Sequence, residues 1–207
     1  MKSINKYEVI DYLYGYINKN YNGAKLVCEK SLDICDFLIN EFSLNNSCSL
    51  VCILRIVEYY FNKLNIEFDK YKVFDEIVTF ARLNYFTEEF GTLPMKIDDI
   101  LRQYFNAYGI DVVAKGHYFG NFYKPIKSEI DSDRPLIMNI AFGGYEKHSV
   151  TIVGYKIFKY KSLNLKFIEL YDGWKRRKSY IDYNVFSHGI FNFGVCSYDT
   201  LKIINYY

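Results

Sequence analysis

The chain reads as an α+β fold on two observations. Through residues 48 to 108 apolar side chains recur at helical spacing, and after Gly109 the pattern changes to period two, so helices come first and an antiparallel sheet second. Taken in order, residues 5 to 43 alternate irregularly, with a strand expected around Lys25 to Cys28 and a helix around Ile34 to Ile39. A helix is expected over 48 to 64, where Leu50, Ile53, Leu54, Val57 and Phe61 share one face and the polar run Leu44 to Ser49 supplies capping side chains. Two more follow at 70 to 84 and 95 to 108, the latter with Ile97, Ile100, Leu101 and Phe105 in one stripe and Gly109 as its stop. Strands are expected at Val112-Val113, Leu136 to Ala141, His148 to Tyr155, Leu165 to Tyr171 and Leu201 to Ile204, with a short helix at Ile126 to Asp131. This gives an N-terminal extension, 1–43, packed on a main domain, 44–207, with no Pro-, Gly- or Ser-rich linker between them.

Composition narrows the function. With 207 residues, half of them hydrophobic, the chain is the size of one domain able to bury a proper core. Lys and Arg number 26 against 24 Asp and Glu, which leaves no electrostatic footprint for nucleic acid. The run Lys175-Arg176-Arg177-Lys178 reads as a solvated loop. Five cysteines cannot all pair, and their spacing lacks the two-by-two pattern of a zinc site, so no metal and no cofactor is expected. Cys28, Cys35 and Cys196 read as reduced core residues, which favours a reducing compartment. The first segment carries Lys, Glu and Asp throughout, unlike a signal peptide, and no stretch approaches the ~20 apolar residues of a membrane span. A cytoplasmic location is therefore expected.

Chemistry concentrates on three residues. Cys48 stands where the polar run ends and the helix begins, a position where unpaired N–H groups and the helix dipole favour a thiolate. A nucleophilic thiolate needs an imidazole for proton transfer and a third group to orient it. Of three histidines, His117 lies in a loop without a nearby carboxylate and His188 reads as a surface turn. His148 opens a β-branched strand after the pair Gly143-Gly144, which would let the preceding loop bend over a substrate. If the connection Lys159 to Asn164 is a hairpin centred near Tyr160, Asp172 faces His148 at its open end, where its carboxylate can accept the imidazole N–H. Trp174 would shield that contact from water.

The order Cys, His, Asp is that of papain-type hydrolases, and the local motifs extend the likeness. Cys48-Ser49-Leu50-Val51-Cys52 with Tyr59-Tyr60 resembles the nucleophile helix of bacteriocin-processing-like cysteine peptidases of bacteria. His148 to Tyr155 is similar to their histidine strand, Arg134-Pro135-Leu136-Ile137 to the strand before it, and Tyr171-Asp172-Gly173-Trp174 to their Asp-Gly-Trp corner. Gly91-Thr92 and Ile97-Asp98-Asp99-Ile100-Leu101 match the segment between, so the resemblance spans roughly residues 44 to 185. It implies a papain-like fold, with the nucleophile helix of an N-terminal helical half packed on a C-terminal sheet. It also implies a hydrolase acting on a peptide or amide through a thioester at Cys48. Two departures stand out: Ser49-Leu50-Val51-Cys52 replaces Gly-Pro-Thr-Ala, and no glutamine precedes the cysteine to donate to the oxyanion. Asn45 or Asn46 would have to supply that amide. An acyltransferase with the same site, and an inactive papain-like binding module, are the alternative readings.

Overall fold

The computed structural model describes residues 9–118, 122–141, 145, 147–186 and 195–206. The chain begins with strand β1 (Val9–Ile10), helix α1 (Leu13–Asn20) and strand β2 (Lys25–Ser31), followed by helices α2 (Cys48–Lys63), α3 (Lys70–Leu83) and α4 (Ile97–Ala107). Strand β3 (Ile110–His117), helix α5 (Tyr123–Asp131) and strands β4 (Leu136–Ile140), β5 (His148–Tyr160) and β6 (Leu163–Tyr171) come next. Strand β7 (Ser179–Asp182), the short helix α6 (Tyr183–Phe186) and strand β8 (Val195–Tyr206) complete the α+β arrangement.

Helix α2 organises the core. It is buried without a break from Ser49 to Phe61, and a helix that is apolar nearly all round has to be enclosed. Helices α3 and α4 pack on it, and β4 and β5 meet it from the sheet. Asp69 starts α3 by accepting the N–H groups of Tyr71 and Lys72, the reciprocal of an exposed helix end. Gly109, at φ +69°, closes α4 in the left-handed region that glycine enters without strain.

The sheet is antiparallel throughout, in the order β1-β7-β6-β5-β4-β8-β3, with β2 joined to β5 off this path. Strand β5 is its hub. One edge carries β6 along its length, while the other carries β4 from His148 to Ile152 and then β2 from Gly154 to Lys159. The N-terminal residues are therefore woven into the sheet as two of its strands, rather than laid against it as an extension.

Three local expectations change. Residues 32–38 have no regular structure and run as a strap in which Leu32 and Ile34 are buried and Asp33 is exposed, a period of two rather than of a helix. Only a short 3-10 turn, Ile39–Glu41, follows it. In the β5–β6 hairpin, Tyr160 pairs with Leu163 and leaves Lys161-Ser162 as a two-residue turn, with Lys161 at φ +53°. The register moves accordingly, and Tyr171 faces Thr151 where a turn centred at Tyr160 would set Ser149. The basic run after Trp174 is the solvated loop expected of it, and its charges are met within the chain: Lys175 and Arg177 reach Asp11 at 2.6 and 2.9 Å, and Arg176 reaches Glu41 at 2.8 Å and Asp36 at 3.3 Å. Such exposed pairs contribute little individually, but together they fasten the N-terminal segment across the corner that follows β6. Cys28 is exposed on β2 instead of buried, and Cys35 is half-buried.

Candidate active site

Cys48 is the first residue of α2 and is half-buried. The capping expected from its neighbours does not form. Ser47, at φ −90° and ψ 12°, lacks the extended backbone of a capping residue, and its hydroxyl turns back to donate to the Leu44 carbonyl at 2.8 Å. The first N–H with a helical acceptor is that of Val51, bonded to the Ser47 carbonyl. Among the described residues the N–H groups of Cys48, Ser49 and Leu50 meet no capping side chain, and this helix end beside the thiol favours negative charge.

His148 is 7% exposed at the start of β5, opposite Ile140 of β4. Its Nε2 lies 2.7 Å from the main-chain carbonyl of Asp172. A carbonyl only accepts, so Nε2 carries the proton and Nδ1 is the basic nitrogen of the neutral ring. Burial holds the imidazole below its ordinary 6.5, against the partial opposition of the bond to Asp172.

The bond expected from the Asp172 carboxylate does not form, because that carboxylate is engaged elsewhere. One oxygen, Oδ1, accepts the N–H of Trp174 at 2.8 Å and of Lys175 at 3.3 Å; Oδ2 accepts the Tyr145 hydroxyl at 3.1 Å and the Ser179 hydroxyl at 3.5 Å. The aspartate folds the corner around its own side chain, as aspartates do in turns, and offers the imidazole its carbonyl instead. Trp174 stacks on His148 with ring centres 4.3 Å apart and planes at 23°. The indole remains 52% exposed, so it lies between the imidazole and solvent. Tyr145, fully buried, approaches both rings, at 5.7 Å from His148 and 5.3 Å from Trp174.

Cys48 and His148 line one cavity of about 300 Å³, together with Asn46, Ser49, Asn139, Lys147 and Ser149 and the apolar Phe90, Leu93 and Pro94. Among the described residues no hydrogen bond joins the thiol to the imidazole. Asn46 does not offer a free amide to the cavity, because its Nδ2 donates to the carbonyls of Glu88 at 2.8 Å and Glu89 at 3.1 Å. It acts with Ser49, whose hydroxyl donates to Thr92 at 2.8 Å, to clamp the 88–92 loop on both sides of Cys48. Asn45 lines a neighbouring cavity of about 600 Å³ that includes Gly173 and Trp174, and Asn46 borders both. The oxyanion donor expected from an asparagine is thus not met at Asn46, and the uncapped N–H of Cys48 is the donor the helix itself provides.

Behind the cavity wall a polar chain runs inward. Ser149 donates to Asn139 at 2.7 Å, and the Asn139 amide donates to Ser197 at 2.8 Å and to Asp199 at 2.9 Å. Asp199 is 1% exposed, and among the described residues its Oδ1 has no hydrogen-bond partner. Burial pushes its carboxyl up to about 8.

Gly143, Gly144 and His188 lie outside the described residues. His117 ends β3 rather than lying in a loop, stacked on Tyr198 at 4.5 Å and away from this cavity. Tyr145, Ser179 and Asp199 carry no pattern in the sequence that would have singled them out. Arg55 does: it is a charge inside the apolar run of α2. Among the described residues no three His, Cys, Asp or Glu side chains converge on a metal position, and no helix is long and apolar enough to cross a membrane. No family model and no curated protein matches the chain.

Proposed function

We propose that the protein is a papain-like cysteine hydrolase acting on a peptide or related amide. The observation that carries this reading is the shared cavity. A cysteine at an uncapped helix start and a neutral histidine, whose Nε2–H is held by the Asp172 carbonyl and covered by Trp174, border the same space.

In this reading His148 Nδ1 takes the Cys48 proton as the sulfur attacks the substrate carbonyl, and the oxyanion gathers at the Cys48 N–H. The imidazolium then returns the proton to the departing amine as the C–N bond breaks, leaving a thioester on Cys48. His148 next draws a proton from water, whose oxygen attacks the thioester, and the thiol is reprotonated as the acid leaves. Asp172 positions His148 through its main chain. The two cavities that meet at Asn46 offer room for the acyl and amine portions of a substrate on either side of the reacting bond.

A binding module built on the same fold is the second reading, favoured by the unformed Cys48–His148 bond and the engaged Asn46 amide. Labelling with peptidyl electrophiles separates the two. The hydrolase reading expects covalent modification at Cys48 that disappears in Cys48→Ala and falls sharply in His148→Ala. Equal labelling of wild type and Cys48→Ala would refute it.

A further inference from the structure

We propose that Arg55 is the positioning residue of this site, one buried guanidinium that ties the helix of Cys48, the strand of His148 and the corner of Asp172 together; the assignment rests on the catalytic reading of Cys48 and His148. Arg55 lies two turns beyond Cys48 on α2 and is 1% exposed. Its Nη1 donates to the Thr151 hydroxyl at 3.2 Å, three residues along β5 from His148, and approaches Cys52 Sγ at 3.9 Å. Its Nη2 donates to the Phe37 carbonyl on the strap leading to Ile39, and the Ile39 N–H bonds the Gly173 carbonyl at 2.9 Å. A Cβ on Gly173 would stand 3.2 Å from Nη2 and 2.9 Å from Ile39, so the guanidinium and the strap both lie directly against the residue that follows Asp172.

Stability alone does not account for an arginine here. Among the described residues no carboxylate lies within ion-pair distance of it, and Nε has no partner. A buried charge without an ionic partner carries a desolvation penalty that an apolar side chain of similar volume does not. What Arg55 has is position. Among the described residues it reaches from α2 to β5, to the 37–39 strap and to the backbone of Gly173, and its positive charge interacts with the buried Asp172 carboxylate. Burial draws its own protonation down, opposed by Cys52, then Asp172, Tyr171 and Asp36. The same charge opposes protonation of His148, whose other neighbours are Asp172, Tyr145 and Trp174.

The test uses the full chain as wild type, Arg55→Met, Arg55→Lys and His148→Ala. The His148 titration is followed by NMR, which three histidines make assignable, and Cys48 alkylation is followed with iodoacetamide. The proposal expects Arg55→Met to melt at or above the wild-type temperature, its His148 midpoint to rise, and its alkylation to fall on the order of tenfold toward that of His148→Ala. Arg55→Lys should restore the midpoint but not the rate, because one ammonium cannot bridge Thr151 and Phe37 together. An unchanged midpoint and rate in folded Arg55→Met would overturn it. Should Arg55→Met not fold, Thr151→Val keeps the charge and cuts one bond; it should slow alkylation, and an unaltered rate would overturn the proposal. If His148→Ala leaves wild-type alkylation as it was, the catalytic reading fails by itself, and the Arg55→Met midpoint still decides whether the guanidinium acts on His148.

Discussion

Which oxygen of Asp172 holds His148 determines how the residue answers to mutation. Because the imidazole bonds the main-chain carbonyl, Asp172→Asn keeps an acceptor for the Trp174 and Lys175 N–H groups and leaves the carbonyl in place. We expect its Cys48 alkylation to stay within a few-fold of wild type. Asp172→Ala strips the acceptor from two N–H groups and from Tyr145 in a buried corner, and should lower both stability, by about 1–3 kcal/mol per buried group left unsatisfied, and alkylation. Equal, large losses in both variants would return the orienting role to the carboxylate. Trp174→Ala should hydrate the His148–Asp172 contact and raise the His148 midpoint toward 6.5, measured by the same NMR titration. The residue types were legible in the sequence, since a cysteine at a helix start, a histidine opening a strand and Asp-Gly-Trp after the next strand each carry local pattern. The atom that binds was not. It is set by Tyr145 and Ser179, which draw the carboxylate away, and by a turn whose geometry no spacing encodes.

At the level of elements, α2 carries the fold and the thiol at once. Leu54 is fully buried in its middle, and Leu54→Ala should cost about 2–5 kcal/mol in chemical denaturation. A loss below about 1 kcal/mol would mean the helix is less enclosed than described. Helices α2, α3 and α4 and strands β4 to β6 were readable because each has an unbroken run of one period. The helix expected around Ile34 to Ile39 does not form because that segment, apolar apart from Asp36, is too short to carry a decisive period. Its Phe37 carbonyl goes to Arg55, a long-range bond that local propensity cannot report. Strands β1 and β7 escaped for a related reason: they are two and four residues long, and they are held by long-range pairing, β1 by β7 and β7 by β1 and β6.

Across the whole molecule, two buried titratable groups give stability opposite dependences on pH. Asp199, raised by burial to about 8 from 3.8, keeps its proton in the folded state while the unfolded chain loses it. Its contribution is complete below the lower value and declines as pH rises toward the upper one. His148, lowered beneath 6.5, acts the other way, and its contribution is lost as pH falls through 6.5 toward the folded value. Asp199→Asn should therefore flatten the fall in melting temperature between about pH 4 and about pH 8 without abolishing the loss on the acid side. A variant whose melting profile parallels wild type over that window would show Asp199 to be ionised in the folded protein.

In the proposed reaction Cys48 and His148 exchange a proton across their common cavity. The most direct measurement is the pH dependence of iodoacetamide alkylation at Cys48, in wild type and in His148→Ala. We expect a wild-type profile with an inflection below 6.5, where the buried imidazole titrates, and a variant that is slower and lacks that inflection. Coincident profiles would contradict it.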